Sequence, residues 1–171
     1  MNWNALVEAL GPRLYNYFLR RGYLREASDL SQEVFSRLYQ KIAGDQFDPS
    51  KGSIDSYAFG IARFVAMENF QNSQIYKSAS DDFDWENLQD TNDKANIETV
   101  YEKKELIELF LREIKSLNPI QQDILTLYMD DDMTLEAIAE LLKVPTGTVK
   151  SHLFRAKENL KGLLQAKGIN L

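Results

Sequence analysis

The chain has no cysteine, one histidine, four prolines and eight glycines in 171 residues. Each shortage closes off a class of chemistry. Without cysteine there are no disulfides, thiolate zinc sites or thiol nucleophiles, which suits a reducing compartment such as the cytoplasm. One histidine cannot build an imidazole metal cage or activate a nucleophile alone. No glycine-rich phosphate loop and no alternating strand pattern is present. No window approaches the ~18 uncharged apolar residues of a membrane span, and the N-terminus, MNWNALVEALGPRLYNYF, lacks the basic segment and apolar run of a secretion signal. With no catalytic constellation in view, neither an enzyme nor a bound cofactor or metal is expected.

What the chain does have is 44% hydrophobic content and a net charge of −6. The first suffices for the cores of one or two small domains. The second argues against a protein that coats nucleic acid non-specifically, because bulk affinity for DNA comes from neutralising phosphates.

One stretch runs against the overall acidity. From Thr134 to Leu164 the sequence reads as two helices joined by a tight turn. Leu135, Ile138, Ala139 and Leu142 recur at the spacing of one buried helical face, with Thr134 as N-cap. Lys143-Val144-Pro145 is long enough only for a sharp turn, and Pro145 suits the first turn of a second helix. Val149, Leu153, Ala156, Leu160 and Leu163 then form its core stripe. Lys150, Ser151, Phe154, Arg155, Glu158 and Lys161 project on the other face, and from Thr148 to Lys167 five basic residues stand against one acid. This is helix-turn-helix grammar with a basic second helix, and it points to DNA contact.

The rest of the chain is also helical in pattern. Leu6, Leu10, Leu14, Tyr17 and Phe18 give a first helix, which Gly11-Pro12 is expected to bend or restart and Gly22 to end. A second helix begins between Arg25 and Asp29, with Leu30, Val34, Leu38 and Ile42 inward and Asp29, Gln32, Glu33 and Arg37 outward. Gly44 to Ser53 is a loop. A third helix, about 54–74, carries the stripe Ile54, Ala58, Ile61 and Val65, with Phe59, Ala66 and Phe70 across from it around Arg63. Phe59 and Phe70 read either as core or as a stacking platform for unpaired bases. Ser73 to Asn96 is poor in periodicity and reads as a linker; from Ile75 to Phe110 ten acids face four bases. Helical pattern resumes at Ile97, restarts at Leu117-Asn118-Pro119, and ends at Asp130-Asp131-Asp132, which reads as a solvated turn rather than a calcium loop.

Two motifs in this order carry a family resemblance: Asp29-x-x-Gln32-Glu33-Val34-Phe35, and Pro145-Thr146-Gly147-Thr148-Val149-Lys150-Ser151 followed by Arg155-Ala156. Together with YAFGIARFVA and LNPIQQDILTLY, they resemble the extracytoplasmic-function group of sigma-70-type RNA polymerase sigma factors over nearly the whole chain. The resemblance implies an all-α fold of two small helical domains: region 2 over 1–74, an acidic flexible linker over 75–97, and region 4 over 98–171. It implies a non-catalytic, cytoplasmic promoter-specificity subunit, monomeric when free, whose partners are core RNA polymerase (clamp helices and flap), promoter DNA and an anti-sigma factor. Asp29, Gln32, Glu33 and Arg37 would dock on core polymerase. Phe47, Lys51, Tyr57, Phe59 and Arg63 would handle the −10 element, and Thr148, Lys150, Ser151, His152 and Arg155 the −35 element.

The chain departs from the family pattern at several of these places. Phe64, Glu68, Asn69, Gln71 and Asn72 follow Arg63 where arginines are usual. Tyr57 stands for a frequent tryptophan, His152 for a frequent arginine, and Lys143 for the usual turn glycine, where a left-handed backbone would store roughly 1 kcal/mol. Two other readings stay open. One is a sigma-like adaptor or decoy, suggested by the depleted basic tail. The other is a stand-alone helix-turn-helix regulator that binds DNA tightly without polymerase.

Overall fold

A computed structural model describes residues 2–73, 97–130 and 133–168. The expected linker, up to residue 96, lies outside the described residues, as do Asp131, Asp132 and the side chains of residues 70–73 and 97–106. Regular structure among the described residues is helical throughout: α1 (Trp3–Arg20), α2 (Ala27–Ala43), α3 (Ile54–Ser73), α4 (Ile97–Ser116), α5 (Pro119–Tyr128), α6 (Leu135–Leu142) and α7 (Thr146–Ala166), with a 3-10 turn at Pro49–Lys51.

Helices α1, α2 and α3 form one bundle around Leu10, Leu14, Tyr17, Phe18, Val34, Leu38 and Phe59. Its centre is aromatic. Tyr17 meets Phe18 and Phe59 edge-on, with ring centroids 5.3 and 5.7 Å away, the geometry that the ring quadrupole favours. Gly11-Pro12 does not interrupt α1, contrary to expectation. Leu10 and Leu14, both fully buried, clamp the helix on either side of Pro12, which is itself exposed. Gly22, at φ +82°, ends the helical course as expected.

The inward face of α3 is also rotated from the expected stripe. Ala58, Phe59, Ala62, Val65 and Ala66 are buried, whereas Ile54 and Ile61 are only partly so. The aromatic cluster draws Phe59 inward, the alanines admit close helix approach, and the Tyr23 hydroxyl donates to the Ala66 carbonyl at 2.7 Å.

In the second bundle α7 packs on α4, α5 and α6. Asn118 caps α5 by accepting from the Gln121 N–H at 3.0 Å, with Pro119 in the first turn, where its missing N–H matters least. The two bundles touch: α5 lies against α1, and α6 against α3, so their apolar cores are continuous.

Candidate nucleic-acid interface

The helix-turn-helix forms where the sequence places it. Thr134 caps α6, its hydroxyl accepting from the Ala137 N–H at 3.1 Å. Lys143 takes the left-handed conformation, φ 56° and ψ 45°. Its N–H donates to the Glu140 carbonyl at 3.1 Å and that of Val144 to the Ala139 carbonyl at 3.0 Å. This pair of bonds is a Schellman motif, which requires positive φ at the residue after the helix. Pro145 sits one residue outside α7 rather than in its first turn, and its carbonyl accepts from Thr148 and Val149.

Val149, Leu153, Ala156, Leu160 and Leu164 are the buried side of α7. Leu164 takes the place expected for Leu163, because the four-residue step from Leu160 stays on the face that the 3.6-residue turn keeps inward. Across the helix Lys150, Ser151 and Arg155 are exposed, with Thr148 and His152 half-buried at their flank. The Ser151 hydroxyl donates to the Thr148 carbonyl at 3.0 Å, leaving its oxygen outward-facing as an acceptor. His152 has Nδ1 enclosed without a hydrogen-bond partner, so it behaves as a packed flank. Between Lys150 and Arg155 lies Phe154, 67% exposed. An aromatic ring left in water on a basic helix face is a contact waiting for an apolar partner. Helical spacing alone places Phe154 on this face, but nothing in the sequence marks its role.

The α2 motif is equally outward. Asp29, Gln32 and Glu33 are exposed. Arg37 is bridged to Glu33 at 2.7 Å and to Glu68 of α3 at 2.8 Å. Those hydrogen bonds, Glu68 first, raise Arg37 above its ordinary pKa, and the same bond holds Glu68 below its own.

Beside this face opens a cleft of about 600 Å³ lined by Phe47, Lys51, Tyr57, Ile61 and Phe64, with Glu140 and Leu141 of α6 at one edge. Phe47 and Tyr57 tilt against each other at 5.3 Å. Asp48 locks the turn that carries Lys51 by accepting from the Ser50 hydroxyl at 2.7 Å and the Ser50 N–H at 3.0 Å, which lowers its pKa. Aromatic walls next to a lysine are the chemistry that stacks and neutralises an unpaired nucleotide.

Two of the expected −10 residues sit elsewhere. Phe59 is fully buried beneath Tyr17 and the Arg13 guanidinium and presents no face to a nucleic acid. Arg63 is half-buried, its Nε 2.6 Å from Asp123 of α5. Asp123 also takes an ion pair from Arg21, while Arg13 pairs with both Asp55 and Asp130. Burial works against the Arg13 charge, yet hydrogen bonds to Asp130 and Asp55 overcome it and raise the pKa; Arg21, also opposed by burial, is raised by its charge interactions with Tyr17 and then Asp123. Asp130 is therefore a buried ion-pair partner and not part of a solvated turn. Asp123 follows Gln121 and Gln122 in α5, so nothing in its local sequence marked it as a buried ion-pair partner.

Comparison with known proteins joins these faces. Residues 6–74 match the family model for sigma-70 region 2, and residues 107–160 the model for sigma-70 region 4. The ECF RNA polymerase sigma factor SigW of Bacillus subtilis is 26% identical over 166 residues, covering 94% of this chain and 87% of that protein. The ECF RNA polymerase sigma-E factor of Escherichia coli is 27% identical over 146 residues, covering 82% and 74%. Among solved structures, CnrH in complex with the cytosolic domain of CnrY matches with a TM-score of 0.67 at 16% identity, covering 96% of this chain and 88% of that one. The sigma factor RpoE in complex with the anti-sigma factor NepR from Bartonella quintana matches with a TM-score of 0.61 at 19% identity, covering 94% and 97%. Among the described residues no helix is long and apolar enough to cross a membrane. The chain carries sigma-70 regions 2 and 4 in order and belongs to the extracytoplasmic-function sigma factors of the sigma-70 family, non-enzymatic factors of transcription initiation.

Proposed function

We propose that this alternative sigma factor binds core RNA polymerase through the outer face of α2 and directs it to promoters by reading a −35 element with α7 and a −10 element with the cleft at Phe47 and Tyr57. The observation that carries the reading is the exposed α7 surface, where Lys150, Ser151, Phe154 and Arg155 stand side by side opposite a buried stripe. Arg155 and Lys150 supply contacts to guanine edges or phosphates, Ser151 an acceptor, and Phe154 an apolar contact to a thymine methyl. At −10 the cleft captures a flipped non-template base once polymerase has opened the duplex, with Lys51 at its mouth; this is binding, without a chemical step. Asp29, Gln32 and Glu33 provide the docking face on the polymerase clamp, with Arg37 held in place by Glu33 and Glu68.

An anti-sigma factor is a further partner. Both solved structures cited above are complexes, and the RpoE complex contains an anti-sigma factor by name. The protein works in the cytoplasm as a monomer until it meets polymerase.

A mobility-shift assay on genomic promoter fragments, with and without core polymerase, tests the proposal. Specific complexes and transcripts should require core. Tight specific binding by the chain alone would identify a stand-alone regulator, and core binding without promoter selection would identify an adaptor.

A further inference from the structure

Which base the Phe47–Tyr57 cleft captures is a question that rests on its proposed base-capturing role, and the lining residues answer it. The apolar wall is Phe47, Tyr57, Ile61 and Phe64. The polar groups are unequal in kind. The Lys41 ammonium donates to Gln46 Oε1 at 2.7 Å. A lysine can only donate, which fixes the amide orientation and leaves the Gln46 NH2 group for the cleft. The Ser53 hydroxyl donates to Ser56 Oγ at 3.1 Å, so the Ser56 proton is likewise free to donate. The acceptors of this bundle are already engaged. Asp48 takes the Ser50 hydroxyl and N–H and pairs with Lys51 at 3.4 Å, and Glu68 is held by Arg37 at 2.8 Å. Gln40 and Tyr57 suit either sense, and the third lining carboxylate, Glu140 of α6, stands at the edge.

We propose that the cleft selects thymine at the flipped −10 position, its carbonyl oxygens held by donors from Gln46 and Ser56 and its methyl group set against the apolar wall. Thymine alone among the four bases lacks an exocyclic amine. It presents two carbonyl acceptors, one ring N–H and a C5 methyl group. Adenine, cytosine and guanine each bring an amine, which in the cleft meets donors and gives up its own hydrogen bonds to water. The single N–H of thymine is within the capacity of Gln40 or of Glu140 at the edge. Stacking on Phe47 and Tyr57 is indifferent to the base, so the discrimination comes from Gln46 and Ser56.

A promoter fragment recovered in the core-dependent mobility shift, with its −10 element randomised, tests this with holoenzyme reconstituted from the full-length chain. The position read by the cleft is the one whose selection Phe47→Ala erases. Thymine should be preferred there about tenfold over cytosine, and deoxyuridine, which lacks only the methyl group, should fall about fourfold below thymine. Gln46→Glu replaces the donor by an acceptor and should turn the preference toward cytosine or adenine, with core co-precipitation and helical circular dichroism unchanged. Another base preferred by the parent at that position, or thymine still preferred after Gln46→Glu, would overturn the base assignment while leaving promoter reading intact. If no position depends on Phe47, the cleft does not read the −10 element and the assignment falls with it.

Discussion

Lys143 holds a backbone conformation that its side chain opposes. At φ 56° and ψ 45° its Cβ crowds the carbonyl that follows, a cost of roughly 1–2 kcal/mol for an L-residue. The conformation is nonetheless fixed by the two Schellman bonds from Lys143 and Val144 to Glu140 and Ala139. Lys143→Gly removes the crowding and keeps both bonds. Glycine restores some freedom to the unfolded chain, which takes back about 0.4–1 kcal/mol. The net expectation is a stabilisation of about 0.5–1 kcal/mol, or a thermal midpoint higher by roughly 1–4 °C for a chain of this size. Urea unfolding followed by circular dichroism reads it as a higher midpoint at unchanged slope. Asp45, at φ 53°, is the internal control. Aspartate tolerates the left-handed region better than lysine, so Asp45→Gly should gain less. A Lys143→Gly chain that is no more stable than its parent, or that gains less than Asp45→Gly, would refute the reasoning.

The register of α7 separates two adjacent leucines: Leu164→Ala should cost about 2–5 kcal/mol and Leu163→Ala less than about 1.5, since Leu164 is 1% exposed and Leu163 half-buried. Arg155→Ala should weaken promoter binding by about 1–3 kcal/mol and leave core binding intact, whereas Glu33→Ala should impair core binding and spare the isolated −35 contact; co-precipitation and mobility shift distinguish the two steps. Asp48 should titrate below its ordinary value in carbon-13 NMR, and Ser50→Ala should move it back up. Because the folded value is the lower one, the stability this carboxylate gives the Pro49–Lys51 turn is present above the unfolded pKa near 3.8 and lost as pH falls through the folded pKa.

What was legible in the sequence is what local periodicity and capping encode. Thr134, Asn118 and the 3.6-residue stripes place α5, α6 and α7 within a residue or two, because each signal lies within a turn of what it specifies. The open face of α7 followed from the same counting, and Phe154 on it only lacked a role. Tertiary contacts escaped. The rotation of α3 toward Phe59 depends on Tyr17, a residue on another helix, and the unbroken course of α1 through Pro12 depends on the core gripping Leu10 and Leu14. Asp130 lies within a run of three aspartates that reads as solvated until Arg13, 117 positions away, is found beside it. No sequence window contains both partners.

The acidity of the chain bears on how its DNA contact should respond to salt. On the open face of α7 the exposed cations are Lys150, Arg155 and Lys161, whereas Lys157 lies over the Tyr128 ring at 4.1 Å. If about three phosphates are neutralised, the logarithm of affinity should fall with that of salt at a slope of about −2.7, roughly a fortyfold loss between 50 and 200 mM. A protein that holds its promoter unaided makes about 6–10 such contacts and loses 10³–10⁵ over the same range. Fluorescence anisotropy of a −35 duplex with the free chain should therefore give the shallow slope, and the holoenzyme a steeper one as polymerase adds its own cations. A slope near −8 for the free chain would mean that it carries a second basic surface, and that its affinity for promoters is its own.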